Sequence, residues 1–276
     1  MNIRHLSAGL FAWGVLGVTI GAQAGAFLSP DGTPVPNGEP ANAFPILKKT
    51  TIDDREYYQL DDMLFDVNAL KDNGTINVRL WPEGKIVYGF SNKVPNAERQ
   101  LWRDAARRWQ EGTCITFKEV APDPTRYRDL LIIEPSSFPG ASITTMKTGG
   151  VMYMRLANWE RRVLAHEIGH ALGLIHEHQR DDRKTYVKAY PDNSKFPQTL
   201  WPFSSTIKPT DYDFCSIMHY KSSELSKTGD VLVALPPNEA MQTTMGTLDL
   251  ISEKDRAAIN AIYCRDPLHE NSASMR

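Results

Sequence analysis

The residues of this chain whose types and spacing could do chemistry are concentrated between 166 and 176, in His-Glu-Ile-Gly-His-Ala-Leu-Gly-Leu-Ile-His. On a helix, His166 and His170 lie on one face about one turn apart, so both imidazoles can reach a single point. Glu167 leaves the axis about 100° round from His166 and can face a water at that point without becoming a ligand. Gly173 can take the positive φ that ends a helix, and a turn there would bring up His176 as a third ligand. Three neutral nitrogen donors and an open fourth position describe a catalytic zinc site with one ion per chain; a structural site would be closed by a fourth side chain. At ordinary residue frequencies His-Glu-x-x-His arises in roughly one chain of this length in a hundred. The added Gly and His lower that by a factor on the order of a thousand.

Several elements must position these residues. The helix that carries the histidines is predicted to begin near Trp159 and run to Leu172. Asn96 is placed to cap a second helix, with Leu101, Trp102, Ala105, Ala106 and Trp109 as its apolar stripe and Gly112 closing it. The stretch NVRLWPEGKIVYGF reads as strands about a Pro-Glu-Gly turn. CITFKEV and DLLIIE follow as strands, the second apolar enough to be buried on both faces of a parallel sheet. SITTMK and GVMYMRL are two more strands flanking Gly149-Gly150. Prolines 191, 197, 202 and 209 mark a loop-rich region, after which Ser252 can cap a last helix buried through Ala258, Ile259 and Ile262.

The chain's 276 residues suffice for one sizeable domain and accessory segments. With 31 Lys+Arg against 33 Asp+Glu, the net charge of −2 gives no bulk field for nucleic acid or an anionic membrane. Residues 1–24 read as a secretory signal, with Arg4 and His5 ahead of an apolar run that ends at Ala22-Gln23-Ala24. Four glycines and a Gln make that run a poor spanning helix, and no other stretch is long and apolar enough, so no stable membrane insertion is expected. Residues 27–45, rich in Pro, Gly and Asn, read as an extended lead-in. Residues 46–75 are mixed, with an acidic cluster and little apolar content to pack as a core. Export permits a disulfide among Cys114, Cys215 and Cys264, and the residues alone leave all three pairings open.

His-Glu-His-Gln-Arg at 176–180 and Ser-Ile-Met-His-Tyr at 216–220 extend the pattern. Together with WPEGKIVY, TCITF and the S-x-x-D-x-x-x-I-N-x-x-Y-C ending, they resemble the astacins, a family of metzincin zinc endopeptidases. The resemblance implies an α+β fold: a mostly parallel twisted sheet with an edge antiparallel strand, an active-site helix, and a loop-rich C-terminal subdomain with a final helix. It implies that His166, His170 and His176 bind zinc and that Glu167 is general base and then acid. Met218 would form the apolar floor, and Tyr220 would be a movable fifth ligand that then donates to the oxyanion. His219 would point away from the metal. Glu177 would anchor the new N-terminus after activation, and a disulfide would join Cys114 to Cys264, leaving Cys215 free.

The implied organisation is a signal over 1–24, a pro-segment over 25–75, a catalytic domain over 76–265 and a tail over 266–276, with secretion and protein or peptide substrates. Maturation would cut between about Asp72 and Leu80. Astacin pro-segments often carry Phe-x-Gly-Asp, whose Asp blocks the metal; the nearest match is Phe65-Asp66-Val67-Asn68, which makes Asp66 the candidate. An extended substrate would pair with an edge strand within Ser142–Met146. A catalytically impaired metal-binding protein on the same fold is the alternative, and a peptidase with two His and one downstream Glu ligand is disfavoured by His176.

Overall fold

Leu130–Pro135 is apolar enough to sit at the centre of a sheet, and a sheet of eight strands is built around it. The computed structural model describes residues 25–26, 48–69, 75–76, 78–137, 142–146, 149–202 and 210–264. The expectations for 1–24, 27–45 and 266–276 lie outside these residues. In chain order the strands are β1 (Gly25–Ala26), β2 (Lys48–Ile52), β3 (Arg55–Leu60), β4 (Met63–Asp66), β5 (Thr75–Ile76) and β6 (Lys85–Phe90). They continue with β7 (Thr116–Glu119), β8 (Leu130–Pro135), β9 (Ile143–Thr145), β10 (Val151–Leu156), β11 (Val187–Ala189) and β12 (Leu232–Ala234). The helices are α1 (Asn96–Gln110), α2 (Arg161–Ala171) and α3 (Glu253–Tyr263).

The sheet order is β2-β3-β4-β9-β10-β8-β6-β7. β8 pairs parallel with β10 and β6, and β6 pairs parallel with β7, whereas β9 runs antiparallel to β10. The expected antiparallel edge is present: β2 ends the sheet and pairs antiparallel with β3, while β9 lies inside it. The hairpin β3–β4 lies beside β9, with β4 parallel to it. Residues 48–69 consequently pack more than the composition of 46–75 suggested. Tyr57, Leu60, Met63, Leu64 and Phe65 are all buried. The apolar run Met63-Leu64-Phe65 is short, and neighbouring acids mask it in any average over the segment.

Trp102, Ala105, Ala106 and Trp109 form the buried stripe of α1, which packs against α2; Trp109 Nε1 donates to the Ala165 carbonyl at 2.9 Å. Two details differ from expectation. Pro95 occupies the cap position and Asn96 is the first helical residue, with no side-chain cap. Leu101 is exposed, because the stripe is narrower than its apolar residues. Around Pro82–Gly84 only the second strand forms; residues 78–81 are irregular, with Trp81 buried against α2.

After α2 the chain is built from short 3-10 turns and the β11–β12 pair around a second core that includes Leu200, Tyr212, Phe214, Tyr220 and Met245. Helix α3 closes the fold with a capping box at Ser252 and Asp255, and Ala258, Ile259 and Ile262 buried. Its end is tied to the start of β7 by a disulfide between Cys114 and Cys264, 150 residues apart; Cys215 is free. In the chain-entropy model a loop of that length stabilises by about 5 kcal/mol.

Candidate active site

Helix α2 ends where its carbonyls find partners. Trp81 Nε1 donates to Ala171 O and Tyr263 Oη to Leu172 O, both at 2.8 Å, satisfying carbonyls that a helix terminus leaves open. Gly173 follows with φ 99°, Gly173 N donates to His170 O, and Leu174 N donates to Gly169 O. These are the two bonds of a Schellman motif, and they need a residue tolerant of positive φ at this position. The turn returns the chain over the helix and brings His176 to His166 and His170.

The orientation of the three rings follows from their second nitrogens. His166 Nδ1 lies 2.9 Å from Ile217 O, His170 Nδ1 2.8 Å from Leu174 O, and His176 Nδ1 3.0 Å from Gln179 Oε1. Each acceptor calls for a proton on Nδ1, leaving Nε2 as a lone pair. The Nε2 atoms converge, with His166 3.1 Å from both His170 and His176. The Asp62 carboxylate stands over them, its oxygens 3.2 Å from His170 and His176 Nε2 and 3.3 Å from His166 Nε2. Asp62 Oδ1 is buried with no hydrogen-bond donor.

Four acceptors facing one another without donors repel unless a cation sits among them. The donor set, three imidazoles and a carboxylate within reach of one point, fits a tetrahedral zinc ion.

Asp62, not Asp66, is the acid at this centre. Asp66 is turned outward, where its Oδ1 accepts from Asn68 N and Nδ2 at 2.8 and 2.9 Å. Where the family pattern has Phe-x-Gly-Asp, this chain has Gln59-Leu60-Asp61-Asp62, and Asp61 takes the left-handed φ of 58° that a Gly would hold freely. Two of the three marker residues are changed, which hid the motif from a pattern search. Asp61 also accepts a hydrogen bond from the Tyr220 hydroxyl. Tyr220 is buried, and burial followed by the nearby Asp61 charge raises its phenol well above the usual range, so it stays a neutral donor.

Glu167 is buried beside the rings but outside the cluster of donors, and Thr144 Oγ1 donates to its Oε2 at 2.5 Å. Burial, then the charge of Asp62, raises its carboxyl well above the usual range. Met218 packs against α2 at Gly169. A Cβ at Gly169 would stand 2.5 Å from its sulfur, so only glycine lets the helix approach this floor. Asp255 holds the turn that carries Met218, accepting from Ser216 Oγ at 2.6 Å and Ile217 N at 2.9 Å. The Ile217 carbonyl then orients His166.

His219 faces away, bonded through Nε2 to the Tyr212 hydroxyl and through Nδ1 to Tyr220 O. His178 escaped the sequence reading. Its ring stacks 4.0 Å from that of Tyr220 while its Nε2 meets Thr199 O, and burial keeps it neutral. Only its alternation with His176 in His-Glu-His could have signalled it. Glu177 is partly buried, with Oε1 accepting from Arg180 Nη1 and Asp213 N, both at 2.8 Å. Burial pushes its carboxyl up to about 7 against the pull of Arg180. A small cavity opens beside it, lined by Gly173, Arg180, Asp213 and Lys254.

Residues 74–264 match the model of the astacin family, Astacin (Peptidase family M12A). The chain belongs to that family. It is 31% identical over 194 residues to zinc metalloproteinase nas-4 of Caenorhabditis elegans, covering 67% of this chain and 59% of the relative. It is 28% identical over 197 residues to zinc metalloproteinase nas-14 of the same organism, covering 67% of this chain and 37% of that one. Tolloid-like protein 2 of Homo sapiens is 26% identical over 211 residues, covering 71% of this chain and 20% of its own length. The chain thus spans between 20% and 59% of the length of these three curated relatives. High choriolytic enzyme 1, a hatching enzyme zinc-protease from Oryzias latipes, shares the fold with a TM-score of 0.59 at 23% identity, covering 68% of this chain and 94% of that one.

Proposed function

We propose that this chain is a secreted zinc-dependent metalloendopeptidase made as a latent precursor. The observation that carries the reading is the anchoring of three Nδ1 atoms by carbonyl oxygens, which aims three Nε2 lone pairs at one point beside Glu167. The proposed divisions are a signal over 1–24, a pro-segment over 25–75, a catalytic domain over 76–265 and a tail over 266–276. Among the described residues no helix is long and apolar enough to cross a membrane.

Bound by His166, His170 and His176, one zinc ion would polarise the scissile carbonyl and acidify the attacking water. The chain's own residues do the rest. Glu167, oriented by Thr144, takes the water's proton and passes it to the leaving amine. Removing the Asp62 charge relieves part of what raises this carboxyl in the closed chain. Tyr220, freed from Asp61, donates its hydroxyl to the developing oxyanion.

In the precursor Asp62 fills the position the reacting groups need, and β4 covers the β9 edge. Thr144 N donates to Asp62 O and Met146 N to Leu64 O, at 2.9 and 2.7 Å, the bonds an extended substrate would otherwise make. Cleavage between about Asp72 and Leu80 would release this segment and offer a new α-amino group to Glu177. The test is digestion of azocasein by the purified chain before and after an N-terminal cut, with and without 1,10-phenanthroline. Chelator-sensitive activity only after the cut supports the reading; activity indifferent to the chelator refutes it.

A further inference from the structure

The segment seated in the cleft also records which side chains the cleft accommodates. Thr144 and Met146 point from β9 to the same side as the metal centre, and Met63 and Phe65 of β4 share that side by register. Met63, Phe65 and Leu60 are buried to 0, 1 and 1% exposure in a cluster with Met146, itself at 0%. Ile175 and Trp201 pack against the same cluster. Ile175 directly precedes the ligand His176, and Trp201 follows a turn whose Thr199 carbonyl holds His178 and Gln179. The wall is therefore built from the frame of the metal centre itself. Release of residues 48–69 would leave Met146, Ile175 and Trp201 as an apolar recess along the cleft.

We propose that the mature protein selects peptides carrying Leu, Met or Phe within three residues on the amino-terminal side of the cleaved bond. The side chain is held by Met146, Ile175 and Trp201. The side follows from strand direction. β4 runs parallel to β9, so from Asp62 at the metal its residues proceed toward Met146. A substrate in the more stable antiparallel ladder meets the same stretch of β9 with the residues that precede its scissile bond. Filling such a recess changes kcat/KM by about 10- to 200-fold relative to a small or charged side chain.

The inference rests on the endopeptidase reading above, and one experiment separates the two. The full chain is matured by limited trypsin digestion and incubated with a proteome-derived peptide library, with and without 1,10-phenanthroline, and the cut sites are sequenced by mass spectrometry. Wild type should enrich Leu, Met and Phe at one position within three residues before the cut. Met146→Lys should lose that enrichment and favour Asp or Glu at the same position, a gain that damaged folding cannot mimic. Trp201→Ala should reduce the discrimination of Phe against Ala there and leave other positions unchanged. Chelator-sensitive cleavage without apolar enrichment on that side, or enrichment untouched in both variants, overturns the inference and spares the protease. Absence of chelator-sensitive cleavage by wild type overturns both.

Discussion

Replacing Asp62 by Asn should wake the precursor without any cut. The carboxylate stands 3.2 to 3.3 Å from three imidazole nitrogens in a buried site, and the amide keeps its shape while removing its charge. Removing one partner from a buried charged set costs about 3–5 kcal/mol. The rest of the contact survives: the two bonds from β9 to Asp62 O and Leu64 O, and the burial of Leu60, Met63 and Phe65. Those bonds contribute about 0.5–1.5 kcal/mol each, and the side chains about 1.5–3 kcal/mol each. The segment should therefore stay folded but open more often, by roughly 150- to 5,000-fold. The assay is hydrolysis of a quenched fluorescent peptide by the uncut chain, its N-terminus sequenced before and after. Asp66→Asn is the control, since the Asp66 side chain bonds to Asn68 in its own turn, and it should leave latency intact. An Asp62→Asn chain as silent as wild type that becomes active on cutting would refute the assignment, and so would an awakened Asp66→Asn.

Two further outcomes follow from the same geometry. In the matured protein Tyr220→Phe should keep the metal and lower kcat by about ten- to a thousandfold, the loss of one oxyanion donor; an unchanged kcat would make Tyr220 structural. Asp255→Ala strips partners from Ser216 Oγ, Ile217 N and Ser252 N and should cost about 2–4 kcal/mol. In a thermal melt that is a drop of about 5–15 °C for a domain of this size, and a drop of under 2 °C would contradict it.

The zinc helix, its glycine turn and the third histidine were legible because each depends on local geometry: a period of 3.6 residues and one positive φ. The α3 cap was legible for the same reason, since Ser252 and Asp255 satisfy each other's turn. What stayed hidden depends on distant partners. Gly169 reads as an unremarkable helical residue until the Met218 sulfur is beneath it. Asp255 reads as a capping residue until Ser216 and Ile217 reach it from 39 and 38 positions away. The Asp61-Asp62 pair read only as part of an acidic cluster because its partners, Tyr220 and the three histidines, lie more than a hundred residues further on. The burial of the hairpin was missed for a related reason. Its core is completed by Met146, Ile175 and Trp201, outside its own sequence.

In the proposed centre three histidines hold a catalytic zinc which Glu167 serves without ligating. This is tested most directly by the zinc content of the purified, matured chain, measured by mass spectrometry of the element for wild type, Glu167→Ala and His176→Ala. About one zinc per chain is expected in wild type and in an inactive Glu167→Ala, and little tightly held zinc in His176→Ala. A metal-free Glu167→Ala chain, or a His176→Ala chain that keeps its full complement, would contradict it.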